Sequence, residues 1–516
     1  MFAAESLVKT LLAQDVEVCF TNPGTSEMHM VAALDRNPEM RAVLCLFEGV
    51  ASGAADGYAR MSGKPASTLL HLGPGLANAL ANFHNAKRAK VPVVNIVGDH
   101  SRDHVKLDAP LTSDIVGFCS TVSRWTGTVT EPEQISAMAV EAVRQSYGPE
   151  PGIASLILPA DCAWSEIEPE VIEKTNFPER HQAPKDTITA IADKIKSANN
   201  PILYLGDIAC HADGIAAAGR IAAKLDCRVI FETFAARISR GSNHFSAQRL
   251  NYFGESALED MKDCDLLVIA GSKAPVSFFA YPGIDSVLTP PGAEVAVLAD
   301  MKTDSAKALA DLADALDAND APKLQPRSQA PDLDREQPLN PGFVGLSLLR
   351  HMKDGSVICD DATTSGMGVF PWLENGPDHD WLCLTGGAIG MGMPMAVGAA
   401  IACPDDQVFA LCGDGAAAYT CQALWTQARE KQNIINVVFA NHSYLILNFE
   451  LARVGAGDPG PAAQAMLDLS NPKMDWVAIG TGFGVPSVST KTAGEFDDAL
   501  VHALANPGPH LIVAEI

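Results

Sequence analysis

The stretch GDGAAAYTCQALWTQAREKQNIINVVFAN, residues 413 to 441, is the most informative part of this chain. It reads as a glycine-flanked turn, a helical run and an apolar strand, so that Asp414 and Asn441 follow successive strands. In an open parallel sheet the carboxyl ends of neighbouring strands meet at one edge, where ligands bind. The pattern therefore predicts that Asp414 and Asn441, 27 positions apart (441 − 414), face one site.

Asp414 and Asn441 offer oxygen ligands of the kind that Mg²⁺ takes from proteins, with phosphate and water oxygens completing its octahedron. A nearby backbone carbonyl would be the third protein ligand. Gly413 and Gly415 allow a sharp turn and let a phosphate approach N–H groups at the helix start. We therefore expect a magnesium and diphosphate site.

The alternation of short apolar strands with helical segments continues through the whole chain and predicts an α/β fold. The length of 516 residues suggests about three domains. Two proline-bearing polar segments, 164–186 and 320–341, divide the chain. We predict three domains, each a mostly parallel sheet flanked by helices, at residues 1–163, 187–318 and 342–516.

Charge and composition exclude several functional classes. The chain has 37 Lys and Arg against 62 Asp and Glu, and its net charge of −25 disfavours nucleic acid as a partner. No apolar run reaches the ~18 residues that a membrane span needs. The 12 cysteines form no C-x-x-C pair and are expected to be reduced thiols, so the cytoplasm is the expected location.

The G-D-G turn with an asparagine at the next strand end resembles the cofactor motif of thiamine-diphosphate-dependent decarboxylases and carboligases. The resemblance implies that Asp414, Asn441 and the Ser443 carbonyl bind Mg²⁺. It also implies that four neighbouring residues contact the cofactor: Gly413, Gly415, Ala416 and Tyr444. The chain departs from the family at Ala440, where a second asparagine is common.

A second matching stretch is LFEGVASGAADGYARMSGKP, residues 46 to 65, in which Glu48 follows an apolar strand. A carboxylate in such a setting is costly to ionise and suits proton exchange. The resemblance implies that Glu48 hydrogen-bonds N1′ of the aminopyrimidine ring and thereby activates C2 of the thiazolium. Alone, Glu48 could instead cap the following helix.

Three further stretches resemble the same family. STLLHLGPGLAN (67–78) resembles a turn of the pyrimidine-binding domain, with Gly73 and Asn78 beside the cofactor. GGAIGMGMP (386–394) includes Gly387 and implies that Ile389 is the wedge between the cofactor rings. DDATTSG (360–366) resembles the diphosphate loop, with Thr363 and Thr364 as contacts. The first and third domains would thus be pyrimidine-binding and diphosphate-binding, and relatives place such sites between subunits, which implies a homodimer or homotetramer.

Within the family, TNPGTSE (21–27) and LLHLGPG (69–75) look most like benzoylformate decarboxylase. That likeness implies that Thr25 and His71 are catalytic, with His71 relaying protons, although a loop histidine bonded only for structure is the alternative. The second histidine of that enzyme corresponds to Ala280, in a stretch with Phe278, Phe279 and Tyr281. Further histidines that could belong to the site are His29, His100, His104 and His442.

The resulting hypothesis is a thiamine-diphosphate- and Mg²⁺-dependent 2-keto acid decarboxylase or carboligase that acts through a C2 carbanion and an enamine on a small 2-keto acid or aldehyde. The runner-up is acetolactate synthase, which the short chain and the lack of a flavin signature disfavour. A non-catalytic or regulatory cofactor-binding subunit is a third alternative, and the presence of Glu48 argues against it. A nicotinamide dehydrogenase ranks last, because no G-x-G-x-x-G follows the first strand.

Overall fold

Three β-sheets organise the protein, and the computed structural model describes all residues from 1 to 516. The first sheet is wholly parallel and has the order β2-β1-β3-β4-β6-β5. Its strands are β1 (Val18–Asn22), β2 (Arg41–Leu44), β3 (Ala66–Leu70), β4 (Val93–Asp99), β5 (Trp125–Thr128) and β6 (Ile153–Pro159). Its helices are α1 (Ala3–Ala13), α2 (Met28–Arg36), α3 (Glu48–Ser62), α4 (Leu72–Ala89), α5 (Ile115–Val122), α6 (Ile135–Tyr147) and α7 (Ala160–Trp164).

The second sheet is also parallel, with the order β10-β8-β7-β11-β12. Its strands are β7 (Pro201–Leu205), β8 (Arg228–Phe231), β10 (Gln248–Arg249), β11 (Leu266–Ala270) and β12 (Glu294–Ala299). The helices of this part are α8 (Lys185–Ser197), α9 (Ala212–Leu225), α10 (Gly254–Met261) and α11 (Ser305–Ala315). β8 is added on one side of β7 and β11 on the other, so the order in which strands are added to the sheet reverses between β7 and β11.

The third sheet has seven strands in the order β17-β18-β16-β15-β13-β14-β9. Six come from its own part of the chain: β13 (Ser356–Asp361), β14 (His379–Cys383), β15 (Val408–Gly413), β16 (Ile434–Ala440), β17 (Ser487–Thr490) and β18 (His510–Glu515). The seventh, β9 (Arg237–Arg240), comes from the middle of the chain and pairs antiparallel with β14.

The helices of this last part are α12 (Pro341–His351), α13 (Thr364–Val369), α14 (Gly392–Ala402), α15 (Asp414–Thr420), α16 (Ala423–Glu430), α17 (Leu445–Arg453), α18 (Pro461–Leu467), α19 (Trp476–Gly482) and α20 (Ala493–Ala505). None of the helices in the structure combines the length and apolar character that crossing a membrane requires.

The predicted α/β architecture of three mostly parallel sheets is confirmed. Residues 167–180 and 316–340 contain no helix or strand, in keeping with the predicted connecting segments. The exact domain bounds stay a prediction, and β9 shows that the middle part of the chain contributes to the third sheet. The predicted single helix after Gly415 is wrong in detail, because two helices, α15 and α16, fill that stretch.

The first and third parts of the chain contact each other through α3 and α14, whose backbones pack directly together at glycines. A Cβ on Gly57 would lie 2.1 Å from the Met395 carbonyl oxygen, and one on Gly398 would lie 1.9 Å from the Ala54 carbonyl oxygen. Only residues without a side chain permit such an approach. The contact brings the helix that begins at Glu48 against the helix that follows the predicted wedge segment.

Candidate active site

Glu48 is the first residue of α3, four positions after β2 ends. Glu48 lies in the first turn of α3, where negative charge is favourable, and its carboxylate makes no hydrogen bond to the backbone of that helix. Its Oε2 accepts a 2.9 Å hydrogen bond from the Asn78 amide of α4, and its Oε1 accepts none. The structure thus brings together two predicted site residues and leaves one carboxylate oxygen free for a ligand.

His71 ends the strand-to-helix connection between β3 and α4 and lies beside Glu48. A Cβ on Gly75 would lie 3.3 Å from Glu48 Oε1 and 3.4 Å from His71 Cβ, so Gly75 separates the two side chains. His71 Nδ1 bonds to Glu27 Oε2 at 2.8 Å and lies 3.1 Å from the Ser26 hydroxyl. With Nδ1–H donating to Glu27, Nε2 is the nitrogen left for a substrate.

Backbone geometry fixes the His71 ring on the turn after β1. A Cβ on Gly24 would lie 2.2 Å from the ring, so only glycine allows the imidazole to cross this turn. Thr25 follows and is exposed. Gly73 has a different role, because it is buried and a Cβ there would lie 2.3 Å from Ser113. Close packing against Ser113 therefore requires a glycine at position 73.

The predicted metal ligands lie at the carboxyl ends of the neighbouring parallel strands β15 and β16, whose residues Gly413 and Phe439 are paired. Asp414 is 2% exposed, and its oxygens accept N–H bonds from Gly415 at 2.8 Å and from His442 at 2.7 Å. Burial raises the pKa of Asp414, whereas these two N–H donors lower it. No lysine or arginine pairs with this carboxylate.

Asn441 and Ser443 complete the donor set. The Ser443 N–H donates to Asn441 Oδ1 at 3.0 Å, which turns the chain sharply after β16. The neighbouring backbone bonds involve His442 and Tyr444 and leave the Ser443 carbonyl without a partner. Nowhere do three or more His, Cys, Asp or Glu side chains gather as a metal site. A buried carboxylate that pairs with no lysine or arginine, an amide oxygen and a free carbonyl fit Mg²⁺, which needs few protein ligands.

The two glycines at the start of α15 differ in their surroundings. A Cβ on Gly415 would lie 2.4 Å from the Tyr444 ring, whereas Gly413 faces open space, with its nearest contact at 4.0 Å. Ala416 is buried behind them at 4% exposure. The four predicted cofactor contacts Gly413, Gly415, Ala416 and Tyr444 therefore lie around the Asp414 turn.

Strained backbone marks three turns of the candidate site. Leu72, Thr363 and His442 have φ angles of 47°, 48° and 53°, in the left-handed region that bulky residues avoid. Each is a predicted site residue or adjoins one. Thr363 is exposed and precedes α13, which begins at Thr364, as expected of residues that contact a diphosphate. Such strain persists where the surrounding structure imposes it and concentrates at functional sites.

The predicted wedge segment around Ile389 is held from two sides. Asp361 Oδ2 accepts N–H bonds from Gly390, Met391 and Gly392 at 2.8 to 3.1 Å. Asn85 of α4 bonds the backbone N–H and C=O of Ala388 from the other side, at 3.2 and 2.8 Å. Burial raises the pKa of Asp361 to about 7, against the three N–H bonds that lower it.

Side chains of the middle part approach the same segment. A Cβ on Gly387, whose φ is +75°, would lie 2.9 Å from the Phe278 ring. Phe278 and Phe279 are about half exposed, while Tyr281 is buried and lies under the Arg453 guanidinium. Phe278 thus forms an aromatic wall beside the predicted cofactor segment, next to Ala280.

The four unassigned histidines lie in different places. His29 packs against Phe2 and Trp164, and His442 bonds Glu515 at 2.9 Å. His100 and His104 follow β4 and line a cavity together with Thr25 and His71. The structure therefore brings His100 and His104 to the cavity and His442, through its backbone N–H, to Asp414, whereas His29 lies apart from both.

Two protein-family models match the two ends of the chain. The family model "Thiamine pyrophosphate enzyme, N-terminal TPP binding domain" matches residues 1–118, and the corresponding "C-terminal TPP binding domain" model matches residues 361–514. The chain belongs to the thiamine pyrophosphate (thiamine diphosphate) enzymes. It is an enzyme of the class that contains both decarboxylases and acetolactate synthases.

Individual relatives cover nearly the whole chain. A Mycobacterium tuberculosis protein named "Putative acetolactate synthase large subunit IlvX" is 45% identical over 99% of this chain and 98% of its own length. Benzoylformate decarboxylase of Pseudomonas aeruginosa is 26% identical over 96% of this chain and 94% of its own. The fold matches that of the thiamine diphosphate-dependent 4-hydroxybenzoylformate decarboxylase of Rhodococcus jostii RHA1, with a TM-score of 0.87, 24% identity and coverage of 100% and 99%.

Sequence reasoning missed several residues that shape the site. They are Ser26 and Glu27 beside His71, and Asn82, Asn85 and Asp361 around the wedge segment. Glu27 lay inside the quoted motif TNPGTSE, three positions after a glycine, where a carboxylate can bond back to the turn. The asparagines carry a weaker signal, since they are polar residues on the buried face of α4.

Proposed function

We propose that this protein decarboxylates a 2-keto acid with thiamine diphosphate and Mg²⁺, and that the remaining acyl carbon then receives either a proton or a second carbonyl carbon. The observation that carries the proposal is the Glu48 carboxylate, which has one free oxygen and lies across Gly75 from His71. A subunit that only binds the cofactor needs neither group.

Each residue has a defined task in this proposal. Asp414, Asn441 and the Ser443 carbonyl hold Mg²⁺, and Thr363 and Thr364 with the start of α15 receive the diphosphate. Bound thiamine diphosphate supplies a nucleophilic carbon and accepts the electron pair that departing CO₂ leaves behind. Glu48 holds a proton at N1′ of the pyrimidine ring, and His71 moves a proton at the substrate oxygen through Nε2. Glu27 orients the His71 ring through its hydrogen bond to Nδ1.

The assembly proposed is a homodimer or homotetramer with sites between subunits. Large apolar side chains are exposed next to both halves of the site: Leu46 (42%), Met367 (43%) and Tyr419 (55%). A second copy that covers them would enclose the cofactor. Twelve free cysteines, without a disulfide, support the cytoplasm as its location.

Acetolactate synthesis is the second candidate. The observation that favours it is the 45% identity to the M. tuberculosis relative, whose name includes that activity. Both candidates share the decarboxylation step and differ in the acceptor, so they need the same residues around Glu48.

The test is CO₂ release from pyruvate, 2-ketobutyrate and benzoylformate by native protein and by Glu48→Gln, with thiamine diphosphate and Mg²⁺ present. The proposal expects release that falls about 10²-fold or more in the variant. An aldehyde product identifies a decarboxylase, and an acetohydroxy acid identifies an acetolactate synthase. Tight cofactor binding without release from any 2-keto acid would contradict the proposal.

A further inference from the structure

A cavity of ≈ 310 Å³ opens beside His71 at the carboxyl edge of the first sheet. Its volume falls at the lower end of the range of small-molecule pockets, about 300–1,000 Å³. It lies next to Glu48, because Gly75 alone separates Glu48 from His71. The loops after β1, β3, β4 and β6 line it with Thr25, Ser26, His71, His100, Ser101, His104, Leu111 and Trp164, among others.

The lining of this cavity is rich in hydrogen-bond donors. It contains three imidazoles and three hydroxyls, and no carboxylate, although the chain has a net charge of −25. The nearby Arg102 and Lys106 are bound to Asp161 and Asp103, so they do not compete for a ligand. Asp99 accepts the backbone N–H of His100.

His71 is hydrogen-bonded to Glu27 through Nδ1, whereas His100 and His104 do not pair with a carboxylate. Their ring centroids lie 5.0 Å apart, and His100 Nε2 is buried without a hydrogen-bond partner. A buried polar atom without a partner costs about 1–3 kcal/mol. An apolar substrate group would leave His100 Nε2 without a partner, whereas a carboxylate could accept charge-assisted bonds from His100 and from the exposed His104 beside it.

We propose that the substrate is a 2-keto dicarboxylic acid, whose distal carboxylate is bound by His100, Ser101 and His104. This inference rests on the proposed function and names its substrate class. In the reaction the C1–C2 bond breaks and CO₂ leaves. The electron pair remains on the former carbonyl carbon, which takes up a proton or bonds to a second carbonyl carbon. No oxidant or reductant is needed.

The test compares two substrates of equal chain length, 2-ketoglutarate and 2-ketovalerate, which differ in the distal carboxylate. We expect native enzyme with thiamine diphosphate and Mg²⁺ to have a kcat/KM at least about ten-fold higher for 2-ketoglutarate, since one charge-assisted bond contributes about 1.5–3 kcal/mol. The double variant His100→Leu/His104→Leu should lose that preference, with its ratio of kcat/KM for 2-ketoglutarate to kcat/KM for 2-ketovalerate falling by about ten-fold or more.

Two further variants separate recognition from folding. His104→Gln retains a donor and should keep most of the preference, while His502→Leu, on the exposed face of α20, should change neither substrate. Equal or better use of 2-ketovalerate by native enzyme overturns the inference and leaves the proposed function standing. A double variant that loses both substrates equally also overturns it. Absence of CO₂ release from every 2-keto acid instead refutes the proposed function on which it rests.

Discussion

Glu27 and His71 are joined by a 2.8 Å hydrogen bond whose carboxylate is almost fully buried, with its side chain 1% exposed. A buried carboxylate on Nδ1 fixes the ring orientation and directs Nε2 towards the cavity. The arrangement supports a histidine that moves protons, although the same bond would also hold a histidine that is only structural. Substitution of Glu27 can distinguish the two roles.

We expect Glu27→Gln, which keeps the size of the side chain, to lower kcat by about ten-fold or more and to change KM little. General acid–base catalysis contributes ~10²–10⁴-fold, and a misoriented imidazole forfeits part of this. Steady-state kinetics over a pH series measures the effect, with Glu17→Gln on the surface as the matched control. A variant with native kcat at every pH would show that the pair is structural.

Glu232 predicts a pH dependence of stability. Burial raises the pKa of Glu232 to about 7, and its carboxyl group accepts a 2.6 Å hydrogen bond from Ser272. Because the folded state holds this proton more tightly than the unfolded chain, the stabilisation is complete below about pH 4.5 and is lost as the pH rises through 7.

Glu232→Gln should therefore gain Tm relative to native protein as the pH is raised from 5 to 8. Thermal unfolding of both proteins at the two pH values tests this, and the difference between the proteins removes the contribution of all other titrating groups. A Tm difference that stays constant with pH would contradict the assignment.

At the scale of elements, the second sheet argues against a bound dinucleotide. Ligands of such sheets bind at the carboxyl edge where the strand order reverses, which here lies between β7 and β11. Glu232 and Ser272 bond across this edge, and a Cβ on Gly271 would lie 2.5 Å from the Gly206 carbonyl oxygen. Asp207 forms an ion pair with Arg180 beside them, so side chains of the protein already occupy this edge.

We expect protein purified under native conditions to lack flavin absorbance near 450 nm, because the Glu232–Ser272 bond and the close contact of Gly271 with Gly206 occupy the edge where the diphosphate of a flavin dinucleotide would bind. An ultraviolet–visible spectrum before and after incubation with excess flavin measures it. A yellow protein with stoichiometric flavin would show that the second sheet does bind a dinucleotide, and it would strengthen acetolactate synthase as the activity.

The elements that sequence reasoning found are those with a strong local pattern. The strands ending at Asn22, Leu70, Asp99 and Gly413 are short, mostly apolar segments that are almost wholly buried, and such segments can be identified from sequence. The short edge strand β5, with the sequence WTGT, has no such run. β9 is defined by pairing with β14, more than a hundred residues away, and no local signal reports that contact.

In the candidate site, too, residues with a local sequence signal could be predicted, and residues positioned by long-range contacts could not. Asp414, Asn441 and Glu48 could be predicted, since each follows an apolar strand at a position where parallel sheets bind ligands. Asp361, Asn82 and Asn85 could not, because their roles depend on the fold of a segment near Ile389 that is distant in sequence. The strain at Leu72, Thr363 and His442 is likewise a property of the folded backbone.

For the whole molecule, the account predicts an oligomer. Apolar side chains next to the site, including Leu46, Met367 and Tyr419, are exposed, and a second copy of the chain would cover them from water. Light scattering coupled to size exclusion should give a mass of at least twice 54.4 kDa. A stable monomer with full activity would contradict sites shared between subunits.

The most direct test of the central claim is the rate at which the C2 proton of bound thiamine diphosphate exchanges with deuterium, compared between native protein and Glu48→Gln at saturating cofactor and Mg²⁺. This measurement needs no knowledge of the substrate. The account predicts exchange at least about 10²-fold slower in the variant, with cofactor still bound, because Glu48 provides the proton contact at N1′. Equal exchange rates in the two proteins would contradict the role of Glu48 and with it the proposed catalysis.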